Sequence, residues 1–223
     1  MHRHCGSVAL VAAVALAVAG VSAAAEPAAK PFPAGHAAAP PSFVPFDLAT
    51  VQTIDTLDSL RKRFGAGEVK AEDIPGAEEM VPGWILHPGD PRRRIYIYLD
   101  DTRKHPANLT VTDPESLWQR GDGIHMGMTL AELATRNGKP IDFSGFGWDY
   151  GGTITDWHGG KLGGMRGINL CPPDFPGGRE PKGYPIGDAT FSSTLPLVTR
   201  YPPKVCSFDL GAVAATAKAP ASR

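Results

Sequence analysis

Apolar residues recur along this chain with two periods, and each period marks a different element. Residues 56–65 read TLDSLRKRFG and residues 129–138 read TLAELATRNG. Leu57 and Leu60, and again Leu130 and Leu133, stand three apart and form one apolar stripe on a helix. Thr56 and Thr129 sit where an N-cap belongs, and Glu132 completes a T-x-x-E capping box in the second segment. Gly65 and Gly138 supply the residue that most readily ends a helix, with Pro140 beyond the second. The pattern predicts two short helices. Period-two alternation follows each. GWILH (83–87) and RIYIYLD (94–100), around the turn PGDPRR, read as a β-hairpin in which Ile95, Ile97 and Leu99 alternate with Tyr96 and Tyr98. IDFSGFGWDY (141–150) and GTITDW (152–157), ahead of the turn HGGK, read as a second pair of strands. ATFSSTLPLV (189–198) and KVCSFDL (204–210) read as further strand.

The two helical segments align as an internal duplication. Thr56 matches Thr129, Leu57 matches Leu130, Leu60 matches Leu133, Arg63 matches Arg136 and Gly65 matches Gly138, every pair 73 residues apart. Trp84 and Trp148 each follow a glycine and are expected in comparable places. The fold class this predicts is α+β, with short helices packed on antiparallel sheet in two helix–strand–strand repeats. The repeats are expected over 46–120 and 121–212, the second carrying a disulfide-closed C-terminal extension.

Composition then narrows the setting. Arg3 opens a short positive segment, Val8 to Val21 is an unbroken run of small and apolar residues, and Ser22-Ala23-Ala24-Ala25 supplies a cleavage site. That is the layout of a secretory signal peptide over residues 1–25. The run falls short of the roughly 20 residues that span a bilayer, and no other stretch is apolar enough, so no membrane span is expected after cleavage. The expected location is periplasmic or secreted. Residues 26–45 (EPAAKPFPAGHAAAPPSFVP) read as a flexible Ala/Pro-rich linker and 213–223 as a disordered tail. Cleavage removes one basic residue, taking the formal charge from −1 to −2. A near-neutral chain is poorly suited to gripping phosphates, so nucleic acid is not an expected partner. The basic triplet Arg92-Arg93-Arg94 lies in a turn and reads as solvated surface. Cys171 and Cys206 remain after cleavage, and an even count in an oxidising compartment reads as one disulfide.

Residues 127–140, GMTLAELATRNGKP, resemble the G-M-T-x-x-E-x-x-x-x-x-G-x-P signature of small bacterial envelope modules. These include the small lipoprotein of the outer-membrane β-barrel assembly machinery and the secreted β-lactamase inhibitory protein, which is similar to a tandem pair of such modules. Gly127, Met128, Thr129, Glu132, Gly138 and Pro140 carry the match. The chain lacks a lipobox cysteine, since Cys5 precedes the apolar run. The resemblance implies a module that binds other proteins, with another envelope protein as the expected partner.

No H-E-x-x-H, G-x-S-x-G or P-loop pattern is present, and no residue calls for a cofactor or a metal. The unusual segment is 143–152, where four aromatics alternate with small residues and one Asp. Alternation puts Phe146, Trp148 and Tyr150 on one face, either a core face, which is the favoured reading, or a binding face. Asp149 is then expected on the opposite face near Asp156 or His158. The candidate binding residues are Trp148, Asp149, Tyr150, Trp157 and His158. His87 and His125 read as isolated. A structural envelope protein, or an enzyme using Asp149, Asp156 and His158, are the alternatives.

Overall fold

The computed structural model describes residues 41–76, 78–163 and 167–212. The expected signal peptide, most of the linker and the tail lie outside the described residues. In chain order the elements are β1 (Val44–Pro45), α1 (Leu57–Phe64), β2 (Val69–Pro75), β3 (Met80–Leu86), β4 (Ile95–Leu99), β5 (Pro106–Val111), β6 (Trp118–Gln119), α2 (Leu130–Asn137), β7 (Asp142–Ser144), β8 (Ile154–Asp156), β9 (Ile168–Cys171), β10 (Thr190–Ser192), α3 (Pro196–Arg200) and β11 (Lys204–Ala212). The helices are few and short and the sheets mainly antiparallel, an arrangement of α+β or mostly-β class. No helix among the described residues is long and apolar enough to cross a membrane.

Both predicted helices form, and local chemistry explains why. The Thr56 hydroxyl accepts from the Ser59 N–H and the Ser59 hydroxyl accepts from the Thr56 N–H, so the first helix has a capping box too, built on Ser. In α2 the Glu132 carboxylate accepts from the Thr129 N–H at 2.8 Å. Those bonds hold the Glu132 carboxyl below its ordinary value, the Thr129 N–H contributing most. Gly138 closes α2 in the left-handed conformation, whereas Gly65 takes a more extended one that leads into a 3₁₀ turn.

Six strands form one sheet in the order β2-β3-β4-β5-β11-β9. The first four are a meander, and β11 enters between β5 and β9, antiparallel to both. A second sheet runs β10-β7-β8. A bridge between Thr153 and Asn169 links its β8 side to β9. At that junction Gly152 has φ +81°, and a Cβ there would fall 1.9 Å from the Leu170 carbonyl oxygen, so only glycine fits. Val44 and Pro45, expected at the end of the linker, pair in parallel with Trp118 and Gln119. Of the further strand expected, 204–210 forms within β11, but in 189–198 only Thr190–Ser192 is strand, and 196–200 is helical because Pro196 starts a turn of helix at its first position.

The main core lies on one face of the six-stranded sheet. Trp84, Leu86, Ile95, Ile97, Leu109, Val111, Phe208 and Leu210 meet Leu60, Leu130 and Leu133 from the helices and Phe143 and Phe146 from the second sheet. A bulge at Cys206 makes this possible. Val205 pairs with Leu170 and Phe208 with Ile168, so residues three apart on β11 share a face. The bulged residue, Cys206, bonds to Cys171 as expected, with Cα atoms 5.6 Å apart.

Asp55, just ahead of α1, ties several elements together. Its carboxylate takes two bonds from Arg63, at 2.6 and 2.8 Å, and one each from the Gln52 N–H and the Ser59 hydroxyl. Its carbonyl meets His105 from the β4–β5 loop. Burial alone would raise the Asp55 carboxyl, but the Arg63 guanidinium and the other donors outweigh it and hold it below the usual range. A carboxylate lowered by folding contributes stability that is complete above its unfolded value of about 3.9 and is lost as pH falls through the lower folded value. Arg63→Met is therefore expected to destabilise by about 2–3 kcal/mol at neutral pH, with the deficit shrinking below about pH 4, read from urea unfolding across pH.

Candidate functional site

The segment 143–152 departs from the expected strand. Strand β7 stops at Ser144, after which the backbone turns from β8 toward 185–189. The Gly145 N–H donates to the Ala189 carbonyl, the Phe146 N–H to Pro185 and the Gly187 N–H to Phe146. With the pleat broken, alternation no longer decides orientation. Phe143 and Phe146 are core, but Trp148 is 38% and Tyr150 59% exposed. The expectation that Phe146, Trp148 and Tyr150 share a buried face is corrected for the latter two. Their rings meet edge-on, centroids 5.2 Å apart, and the Trp148 indole N–H donates to the Gly145 carbonyl at 2.8 Å. Exposed Ile186 flanks them, paired by a bridge to Phe146. Asp149 stands exposed between the two rings in sequence.

His158 belongs to the other end of the same hairpin. It follows β8, beside the first residue of β7. Its Nε2 lies 2.9 Å from the Asp142 carboxylate and its N–H donates to Asp156 at 2.7 Å, with φ at +49°. Asp149 does not join Asp156 and His158; Asp142 does, and the sequence reading passed it over. The cross-strand register, which sets Asp142 opposite Asp156, was the signal that could have found it. Trp157 is buried at 9%, so of the five candidate binding residues the structure gathers only Trp148, Asp149 and Tyr150 on one loop. It also separates Trp148 from Trp84, which is buried in β3. The Asp142–His158–Asp156 group is largely exposed, where ion pairs are screened and worth little. No group of three or more His, Cys, Asp or Glu among the described residues is placed to hold a metal ion.

His87 is not isolated. It is 8% exposed, holds φ at +53°, and its Nδ1 lies 2.6 Å from Glu68. The Arg93 guanidinium approaches both ring nitrogens, and Phe64 meets the ring edge-on. Arg94 donates to Asp113 and to the Pro88 carbonyl. Arg93 thus joins the β3–β4 turn to His87, beside Phe64 of α1, and Arg94 ties it to Asp113 beyond β5, which corrects the reading of the triplet as merely solvated.

Besides the His158 contacts, the 157–163 turn is held from α2 and its C-terminal end, where the Lys139 ammonium donates to the His158 carbonyl at 2.9 Å. Asn137, 1% exposed at the end of α2, donates to the carbonyls of Trp157 and Lys139 and accepts from the Leu162 N–H. Asn137→Ala leaves these backbone groups without that partner and is expected to cost about 2–3 kcal/mol in chemical denaturation. Comparisons with protein-family models, with characterised proteins and with solved structures return no match, so the site rests on its own geometry.

Proposed function

We propose that this is an exported protein-binding module that meets its partner through the aromatic loop 145–152. The observation that carries this reading is the exposed Trp148–Tyr150 pair. Large aromatics left half-exposed are a cost in water, and Trp and Tyr are the residues that dominate binding energy at interfaces. Here the Trp148 hydrogen bond and the edge-on ring contact limit the loop's freedom, so less order must be gained on binding. The separation of Asp149 from Asp156 and His158 weighs against an enzyme built on those three.

The tandem-module resemblance points the same way, and several correspondences support it. Both helices have a Thr cap with a reciprocal box. Their matched arginines do like work: Arg63 donates to the Thr50 carbonyl and Arg136 to the Asp122 carbonyl, 13 and 14 residues back. Val51 and Ile124, 73 apart, are both fully buried, and Trp84 and Trp157, at the same offset, are nearly so. Phe64 meets His87; 73 residues on, Asn137 lies so close to Gly160 that a Cβ there would clash. Strands β7, β8 and β9 fall within the ranges of β2, β3 and β4 displaced by 73. Such modules bind other proteins, and the N-terminal leader pattern with the closed Cys171–Cys206 pair fits an envelope or secreted setting, with an envelope protein as partner.

The test compares capture from envelope extract by the protein and by its Trp148→Ala/Tyr150→Ala variant. Surface changes of this kind are expected to alter stability by no more than about 0.5 kcal/mol. Specific partner recovery should fall at least about thirtyfold, the loss that removing an aromatic anchor brings. Equal capture by both proteins overturns the reading.

A further inference from the structure

The six-stranded sheet has a second face that the described helices leave open. Every buried apolar residue of α1, α2 and α3 belongs to the core on the first face. On the open face Ile74 and Ile85 are buried yet stand outside that core. Beside them, in register across β4, β5 and β11, stand Tyr96 and Tyr98, Thr110 and Asn108, and Asp209. Gly83, opposite Tyr98 on β3, leaves room for Ile74 to lie over the strand; a Cβ there would fall 2.3 Å from the Ile74 Cδ1.

Tyr98 divides this face into two concavities. Its hydroxyl donates to the Pro75 carbonyl at 2.5 Å, which fixes the ring as a wall. On one side, a pocket of about 410 Å³ is lined by Pro75, Gly76, Tyr98, Asn108, Thr110 and Asp209. On the other, one of about 490 Å³ includes Glu79, Asp100, Asp101 and Arg103, three carboxylates against one guanidinium. Within the first pocket the Asp209 carboxylate is held in place: the Thr110 hydroxyl donates to it at 2.6 Å, and the Asn108 amide donates in turn to Thr110. Gly167 lies against its other oxygen. The Arg120 guanidinium donates to the Asp209 carbonyl at 3.1 Å, but the Asp209 carboxylate forms no ion pair among the described residues. The carboxylate is also near enough to Tyr98 to help burial push the phenol up, which keeps the hydroxyl a donor.

We propose that the pocket between Tyr98 and Asp209 receives a basic side chain, lysine or arginine, of a partner polypeptide. The proposal rests on the protein-binding reading and adds the chemistry of recognition. An oriented carboxylate with no ion pair among the described residues supplies the charge, and the adjoining carboxylates extend the field toward the second concavity. The Tyr98 ring offers its face to the aliphatic stem and to the cation itself. The pocket reaches from the end of β2, at Pro75, past Tyr98 of β4 and Thr110 of β5 to Asp209 of β11.

The experiment titrates the whole protein with N-acetyl-lysine methylamide and its arginine counterpart, following backbone amide shifts. N-acetyl-norleucine methylamide serves as the uncharged control. The amides of Tyr98, Thr110, Gly167 and Asp209 should shift saturably with a basic probe and not with norleucine. Asp209→Asn keeps an oxygen for Thr110, so the sheet is preserved, and should weaken the basic probe about five- to tenfold. Tyr98→Phe should keep the effect and Tyr98→Leu should reduce it. The Trp148→Ala/Tyr150→Ala variant should respond like the unaltered protein, so failure of the loop and failure of the pocket are separable. No saturable shift at these amides, equal shifts with norleucine, or an Asp209→Asn variant that binds as well as its parent each overturn the proposal.

Discussion

Insertion of β11 between β5 and β9 is the constraint on which the rest of the structure depends. One strand near the end of the described chain completes the hydrogen bonding of two others, and it brings Asp209 onto Thr110 across 99 residues of sequence. Without it, the β2-β3-β4-β5 meander would end in an unpaired edge and β9 would lose its ladder partner. Closing so long a loop costs entropy, although the cost grows only slowly with length. The Cys171–Cys206 bond helps offset it by joining β9 and β11 where the bulge brings the sulfurs together. The same bulge turns both Val205 and Phe208 toward the core.

That single insertion separates two surfaces with different physics. On the first face the leucine stripes of α1 and α2 meet the sheet, and burial of apolar area drives the packing. The second face retains tyrosines, hydroxyls and a carboxylate over two buried isoleucines. A polar, half-buried sheet face contributes less to stability than the core does and keeps groups able to recognise another molecule. The aromatic loop is a separate product of irregularity: once β7 ends at Ser144, Trp148 and Tyr150 are released from the pleat that would have buried them.

Polar groups fix the local geometry around these surfaces. Asp55, Asn137 and His87 are each buried, and each joins the end of a helix to a neighbouring loop or turn. A buried polar group is costly unless satisfied, so each has a narrow range of workable positions. This is why the turns at 87–94 and 157–163 depend on side chains distant in sequence, Glu68 and Asp113 for the first and Asn137 for the second, as well as on their own turn residues.

By itself the sequence determined what depends on neighbours within a few residues. The caps at Thr56 and Thr129, the spacing of Leu57, Leu60, Leu130 and Leu133, and the alternation of 94–100 act through local hydrogen bonds and a local period. The Cys171–Cys206 pair was legible because only two cysteines remain in the expected mature chain. Tertiary structure alone decided the order of the strands, the open face holding Tyr98 and Asp209, the exposure of Trp148 and Tyr150, and the choice of Asp142 over Asp149 as neighbour of His158. Each of those depends on pairing between strands tens of residues apart. A one-residue change of register or an early strand end reverses a side chain's face, and no local pattern records where either occurs.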